Sequence, residues 1–271
     1  MAGDFSDESV SRERLRWRSS GIALLTFFLI PIAHAAEACD PVVGRVVDVA
    51  GRVEVQHGVD ARWVAARLED ALCEGDTVRA AERSRAAITL INQAVLRVDQ
   101  NTTIRLIDVK GKPEERSLLN LVQGAIQSFS RKPRRFDVST PYLNGSIEGT
   151  EFVIRVADNQ AILTVFEGVV RGTNERGTAS VTSGQSVAAG AGKEPRPLTV
   201  IRPRDAAQWA LYYPPVMSAP VANSSLAEAV QAGGRGDTSD AFAALDRVPQ
   251  ANRDAQYALY RASLLLSVGR V

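Results

Sequence analysis

Between residues 42 and 201 apolar side chains recur at every second position over short stretches, the spacing of half-buried strands. Val46–Ala50, Val53–Gln56, Ala86–Ile91, Ala94–Val98, Thr103–Ile107, Phe152–Val156, Ala161–Phe166 and Val169–Arg171 all carry it, and most are rich in β-branched residues. Gly, Asn, Asp and Pro punctuate the pattern roughly every ten residues, a rhythm that predicts a sandwich, a barrel or a stacked β-solenoid rather than a βαβ sheet. No helix-length apolar stripe interrupts it.

Pro195, Pro197 and Pro203 close this region. Residues 205–213 offer one short amphipathic turn of helix before Pro214-Pro215, and residues 202–225 are expected to form a stiff, Pro-rich linker. Beyond it the apolar spacing changes to the helical period over Leu226–Gln231, Ser239–Leu245 and Asp254–Val268, with Ser239 as a predicted N-cap and Arg253 or Asp254 opening the last helix. Residues 255–269 are similar to the first helix of a tetratricopeptide repeat. Such repeats need neighbours to bury their apolar faces, so residues 226–271 are expected to be an incomplete part of a longer helical array.

The N-terminus adds a targeting element. A basic stretch, Arg12 to Arg18, precedes the apolar run Gly21 to Ile30, which ends at Pro31 and the small-residue site Ala33-His-Ala35. The run is shorter than the about 20 residues a helix needs to cross a bilayer. Residues 1–35 are therefore expected to be a signal peptide cleaved after Ala35, giving a periplasmic protein with no stable membrane insertion. The alternative retains Gly21 to Ala36 as an anchor. Only Cys39 and Cys73 occur in the chain, and in an oxidising compartment a lone pair is most simply a disulfide; two separate buried thiols are the other reading.

Composition narrows the chemistry. The chain has 271 residues, a net charge of +1, 45% hydrophobic and 23% charged side chains, which is globular and gives no overall field for a nucleic acid. After cleavage one histidine remains, His57, in a polar turn. There is no Gly-rich phosphate loop, no Gly-x-Ser-x-Gly elbow and no metal-spaced His/Cys cluster in the sequence, so neither enzyme activity nor a cofactor is expected.

A longer ordered set of motifs spans most of the β region. It comprises Val43-Gly-Arg-Val-Val-Asp-Val-Ala-Gly-Arg-Val-Glu-Val55, Trp63, Cys73-Glu-Gly-Asp-Thr-Val-Arg79, Leu121-Val-Gln-Gly124, Phe136-Asp-Val-Ser-Thr-Pro141, Ile147-Glu-Gly-Thr-Glu-Phe152, Val165-Phe-Glu-Gly-Val169 and Ser183-Gly-Gln-Ser186. In this order and spacing the set resembles the periplasmic FecR domain, placed here at residues 36–201. The resemblance implies a β-rich domain with a β-helix-like stack. It also brings the family's best-known role, a transmembrane regulator with a cytoplasmic anti-sigma domain that receives a signal from an outer-membrane receptor. Too few residues precede Gly21 for such a cytoplasmic domain.

Read residue by residue, Asp76 and Thr150 suit tight turns, and Trp63 suits a core plug better than a stacking platform. Arg131-Lys-Pro-Arg-Arg135 is a solvated loop or a reader of anionic surfaces. Gly149, Thr150 and Phe152 read as turn plus core, with a partner contact as the sharper alternative. The expected function is thus an exported, non-catalytic scaffold of the bacterial envelope. It would bind a protein or glycan along a surface bordered by Arg134, Arg135, Gly149, Thr150 and Phe152, and its helical repeats would engage a second protein. A membrane-anchored FecR-like regulator is the alternative, and a glycan-active enzyme the third reading.

Overall fold

The structure, a computed structural model, describes residues 41–199 except 59 and 61, together with 202–211 and 223–269. The predicted signal peptide, Cys39 and much of the predicted linker lie outside the described residues. The chain is mainly β, with a small C-terminal helical segment. Among the described residues fourteen strands follow one another: β1 (Val42–Ala50), β2 (Val53–Gln56), β3 (Trp63–Ala65), β4 (Ala71–Cys73), β5 (Thr77–Ala80), β6 (Arg85–Leu90), β7 (Val95–Val98), β8 (Thr102–Asp108), β9 (Arg116–Ser139), β10 (Asn144–Ala157), β11 (Gln160–Asn174), β12 (Gly177–Thr182), β13 (Ser186–Gly190) and β14 (Arg196–Leu198).

The pairings are antiparallel, and the main path runs β14-β13-β11-β10-β9-β7-β6-β1-β4, open at both ends. A second branch, β8-β5-β2-β3, leaves from β9: residues 118–123 of β9 pair with β8, whereas residues 126–129 pair with β7. The expectation of a stacked solenoid is corrected here. Short Gly, Asn and Asp turns return the chain beside the strand just completed, which makes hairpins and not the parallel rungs of a solenoid.

The two branches share one core. Val53, Val55, Val78, Ile104 and Leu106 from one branch pack in the same cluster as Val46, Leu72, Ile88, Leu90 and Leu96 from the other, all buried. Strict alternation along β6 sends Ala86, Ile88 and Leu90 inward, and each large aliphatic side chain so buried contributes about 1.5–3 kcal/mol.

The largest departure from the sequence reading is strand length. β9 runs for 24 residues, and the segments 161–166 and 169–171, expected as separate strands, are two halves of β11. They are joined at Gly168, which faces Gly149 of β10 across a register shift. A Cβ on Gly149 would collide with the Glu167 carbonyl oxygen, and one on Gly168 with that of Glu148. Two residues without side chains let the paired backbones close up and bend together. Both strands then continue past the bend, with the later half of β11 pairing β12 and the earlier half β13.

The segment after β14 folds back onto the sheet. A 3-10 helix, Pro203–Ala210, buries Trp209 and Ala210 against Ala125 of β9, and the Trp209 indole N–H donates to the Ala206 carbonyl at 2.8 Å. Three helices follow: α1 (Ala227–Gly234), α2 (Thr238–Asp246) and α3 (Ala255–Ser267). Leu226, Phe242, Leu245, Tyr257, Tyr260 and Leu264 form their core, which Ala50 of β1 also joins. Arg83, held with φ +55°, reaches this segment as well: its guanidinium lies 4.9 Å from the Phe242 ring centroid and bonds Asp246 at 2.9 Å. The cap of α2 is Asp237, whose carboxylate accepts from the Asp240 N–H, and not Ser239 as the sequence suggested. Of Arg253 and Asp254, it is Asp254 that caps α3, accepting from the Tyr257 N–H at 2.9 Å.

Two predictions test this architecture. Gly149→Ala should lower unfolding stability by about 1–3 kcal/mol, the usual penalty for forcing a side chain into filled space, as read by urea denaturation. The second concerns pH. The Asp254 carboxyl is held below its ordinary value, chiefly by the Tyr257 N–H bond. Its folded pKa is depressed, so its stabilisation is present above the unfolded value of about 4 and is lost as pH falls through the folded one. Asp254→Ala should therefore lower the helical melting midpoint at about pH 7, and the difference from the parent chain should close toward about pH 2, as followed by circular dichroism.

Candidate functional site

The residues singled out from the sequence come together only in part. Arg134 and Arg135 of β9 sit opposite Gly149 and Glu148 of β10, so the run 131–135 is strand and bulge, not a free loop. Phe129 pairs with Glu151, and four residues, 130–133, therefore face the single residue Thr150. Ser130 ties this bulge by donating its hydroxyl to the Lys132 carbonyl at 2.6 Å, while Arg131 and Lys132 stay exposed.

Arg134 turns inward. It is 6% exposed and its Nε donates to the Asn92 carbonyl at 2.6 Å, bracing the β6–β7 turn. Arg135 is exposed, and its charge is shared: it lies 3.4 Å from Glu148, which also bonds Arg116 at 3.0 Å, while Arg116 bonds Asp137 at 3.2 Å. Phe152 is core, packed edge-to-face on Phe136 with centroids 5.8 Å apart. Thr150 is buried, and its hydroxyl has no hydrogen-bond partner among the described residues. The five do not form one exposed surface; Arg135 alone of the side chains reaches solvent.

Two other expectations change. Trp63 is half-buried at a sheet edge, not a core plug, and carries the Arg79 guanidinium over its ring at 4.0 Å. Asp76 is fully buried and fulfils its turn role: one oxygen accepts from the Gly58 N–H at 2.9 Å, the other accepts from the Cys73 N–H at 2.8 Å and lies 3.0 Å from His57 Nδ1. His57, Cys73 and Asp76 place donor atoms within 4.8 Å of one another. Because the carboxylate is already engaged by backbone donors, the trio is a braced turn. Cys73 is half-buried at the end of β4 and is not free; the other end of the expected bridge lies outside the described residues.

The arrangement best suited to recognition lies on the outer face of β7, β9 and β10. Gln127, 4% exposed, spans two charged side chains: Arg97 Nη1 donates to its Oε1 at 3.1 Å, and its Nε2 donates to Glu151 Oε1 at 2.7 Å. Phe129 and the 3-10 helix wall this bridge, enclosing a cleft of about 360 Å³ lined also by Arg204, Asp205, Gln208 and Leu211. A second, more polar cleft of about 470 Å³ lies at the hairpin turns. There Arg155 pairs with the buried Asp99 at 3.3 Å and the Tyr142 hydroxyl donates to Asn159 at 3.2 Å.

Residues 76–171 match the family model described as FecR protein. Those residues are similar to that family. Arg97, Gln127, Phe129 and Glu151 all fall within the matched residues, whereas the 3-10 helix that completes the cleft lies beyond them. No curated protein matches the chain. Two crystal structures of a candidate anti-sigma factor from Parabacteroides distasonis ATCC 8503 are similar, each with 14% identity and a TM-score of 0.43. The likeness covers 52% and 51% of this chain and, in both, 68% of the other.

The sequence reading missed Arg97, Gln127, Glu151 and Arg204. Little in the sequence marks them: β9 carries polar residues along its whole length, and only the register makes Gln127 a buried amide that needs partners. The two arginines of the basic run should also part company. Arg134→Glu should destabilise the domain by about 3 kcal/mol or more, because it buries an unpaired charge, whereas Arg135→Glu should leave the melting midpoint nearly unchanged in a thermal scan.

Proposed function

We propose that this chain is a FecR-like regulator of the bacterial envelope, whose β domain recognises a partner protein and catalyses no reaction. The observation that supports this reading is the FecR domain at residues 76–171. FecR-family relatives are regulatory, non-enzymatic proteins, so a regulator accounts for the match more directly than the released scaffold expected from the sequence. The chemistry of the first cleft agrees: its cation, amide and carboxylate form a fixed polar bridge suited to orienting a ligand.

In this reading Gly21 to Ala36 stays as an inner-membrane anchor, the β domain faces the periplasm, and Cys39 bonds Cys73 there. The helical segment supplies a second surface, docked to the β domain through Arg83 and Ala50.

Intact mass, N-terminal sequence and cell fractionation of the full chain in a Gram-negative host test this proposal. An uncleaved chain in the inner-membrane fraction is expected, about 2 Da lighter without reductant if one S–S bond replaces two thiols. A soluble periplasmic chain beginning at Ala36 would overturn the anchored regulator and restore the released scaffold.

A further inference from the structure

The cleft over Gln127 holds four charged side chains without an ion-pair partner among the described residues. Arg97 donates to Gln127, Glu151 accepts from it, Asp205 accepts from Gln208 at 3.3 Å, and Arg204 lies 5.8 Å from the Phe166 ring centroid. Elsewhere on this domain Arg79, Arg116 and Arg155 each have a carboxylate within 3.3 Å, while Arg105 and Arg134 bond backbone carbonyls. The cleft therefore presents two cations and two anions that do not satisfy one another.

These groups are also held in place. Gln127 is nearly fully buried, and both its amide oxygen and its amide nitrogen are used to fix Arg97 and Glu151. A side chain locked by burial keeps its charged neighbours in one geometry before any ligand arrives, which lowers the entropy lost on binding. Beside them Phe129 and Leu211 leave 44% and 48% of their surfaces exposed. A small anion or cation would answer only one sign and would leave the apolar walls wet.

We propose that this cleft binds an extended peptide segment in which an acidic and a basic side chain flank an apolar one. This inference rests on the regulator reading and names the site and chemistry by which that domain takes its partner. The segment's carboxylate meets the guanidinium groups of Arg97 and Arg204, its cation meets Glu151 and Asp205, and its apolar side chain covers Phe129 and Leu211. At about 360 Å³ the cleft is near the small end of ligand sites, enough for about three residues. Gln127 is a positioning residue, acting through Arg97 and Glu151.

Calorimetric titration of the full chain with end-blocked tripeptides, Asp-Leu-Lys, Lys-Leu-Asp and Ala-Leu-Ala, and with free leucine tests the proposal. One of the two charged orders should bind about tenfold more tightly than Ala-Leu-Ala and than free leucine, a difference expected of one charge-assisted contact. Arg97→Ala and Glu151→Ala should each remove that preference. Gln127→Met, which keeps volume but loses both hydrogen bonds, should weaken the charged peptide while leaving Ala-Leu-Ala unchanged, an effect that mere structural damage would not produce. An unchanged Trp209 indole N–H resonance in each variant confirms that the cleft wall is intact. Equal binding of all three peptides, binding of leucine alone, or charge preference that survives the variants would overturn the proposal. Fractionation of the uncleaved chain does not depend on this cleft, so the regulator reading stands or falls separately.

Discussion

Everything in the β domain hangs on the close approach of Gly149 and Gly168. Two long paired strands can serve both parts of a folded sheet only if they bend at the same level, and a bend at that level brings each residue against the other strand's carbonyl. Without side chains there the backbones meet, and the register slips by the amount the bend requires. The rest follows from this: Phe136 and Phe152 meet edge-to-face beside the bend, the bulge at residues 130–133 takes up the slack on β9, and Glu151 leaves the bend to accept from Gln127. A core of aliphatic side chains is generic; the bend makes it this core.

Much of the fold was legible because local rules and tertiary demands agree. Alternation in β6 and β8 names the buried positions correctly, and the helical period after residue 226 locates three helices to within a few residues. What was not legible is continuity. Gly168 and the basic run look like breaks, since glycine and clustered charge ordinarily end strands, yet here partners on both sides carry the ladder through them. Arg134 shows the same limit at the level of one side chain. Nothing local distinguishes it from Arg135, and only the turn at Asn92, distant in sequence, gives it a buried acceptor.

The candidate site was the least visible part, for a related reason. Arg97, Gln127 and Glu151 are far apart in the chain, and only Glu151 lies in one of the motifs; antiparallel register sets the three side by side. The family resemblance led to the right domain but to residues that turn out to build it. Motifs recurring in a β domain mark turns and bends, where backbone geometry is demanding, and a recognition surface on the outer face is free of that demand.

The wall that Trp209 anchors on Ala125 belongs to the same polypeptide as the floor of the cleft. A wall tethered in this way is present at a high effective concentration that no amount of dilution changes. The cleft consequently needs no second subunit to be complete.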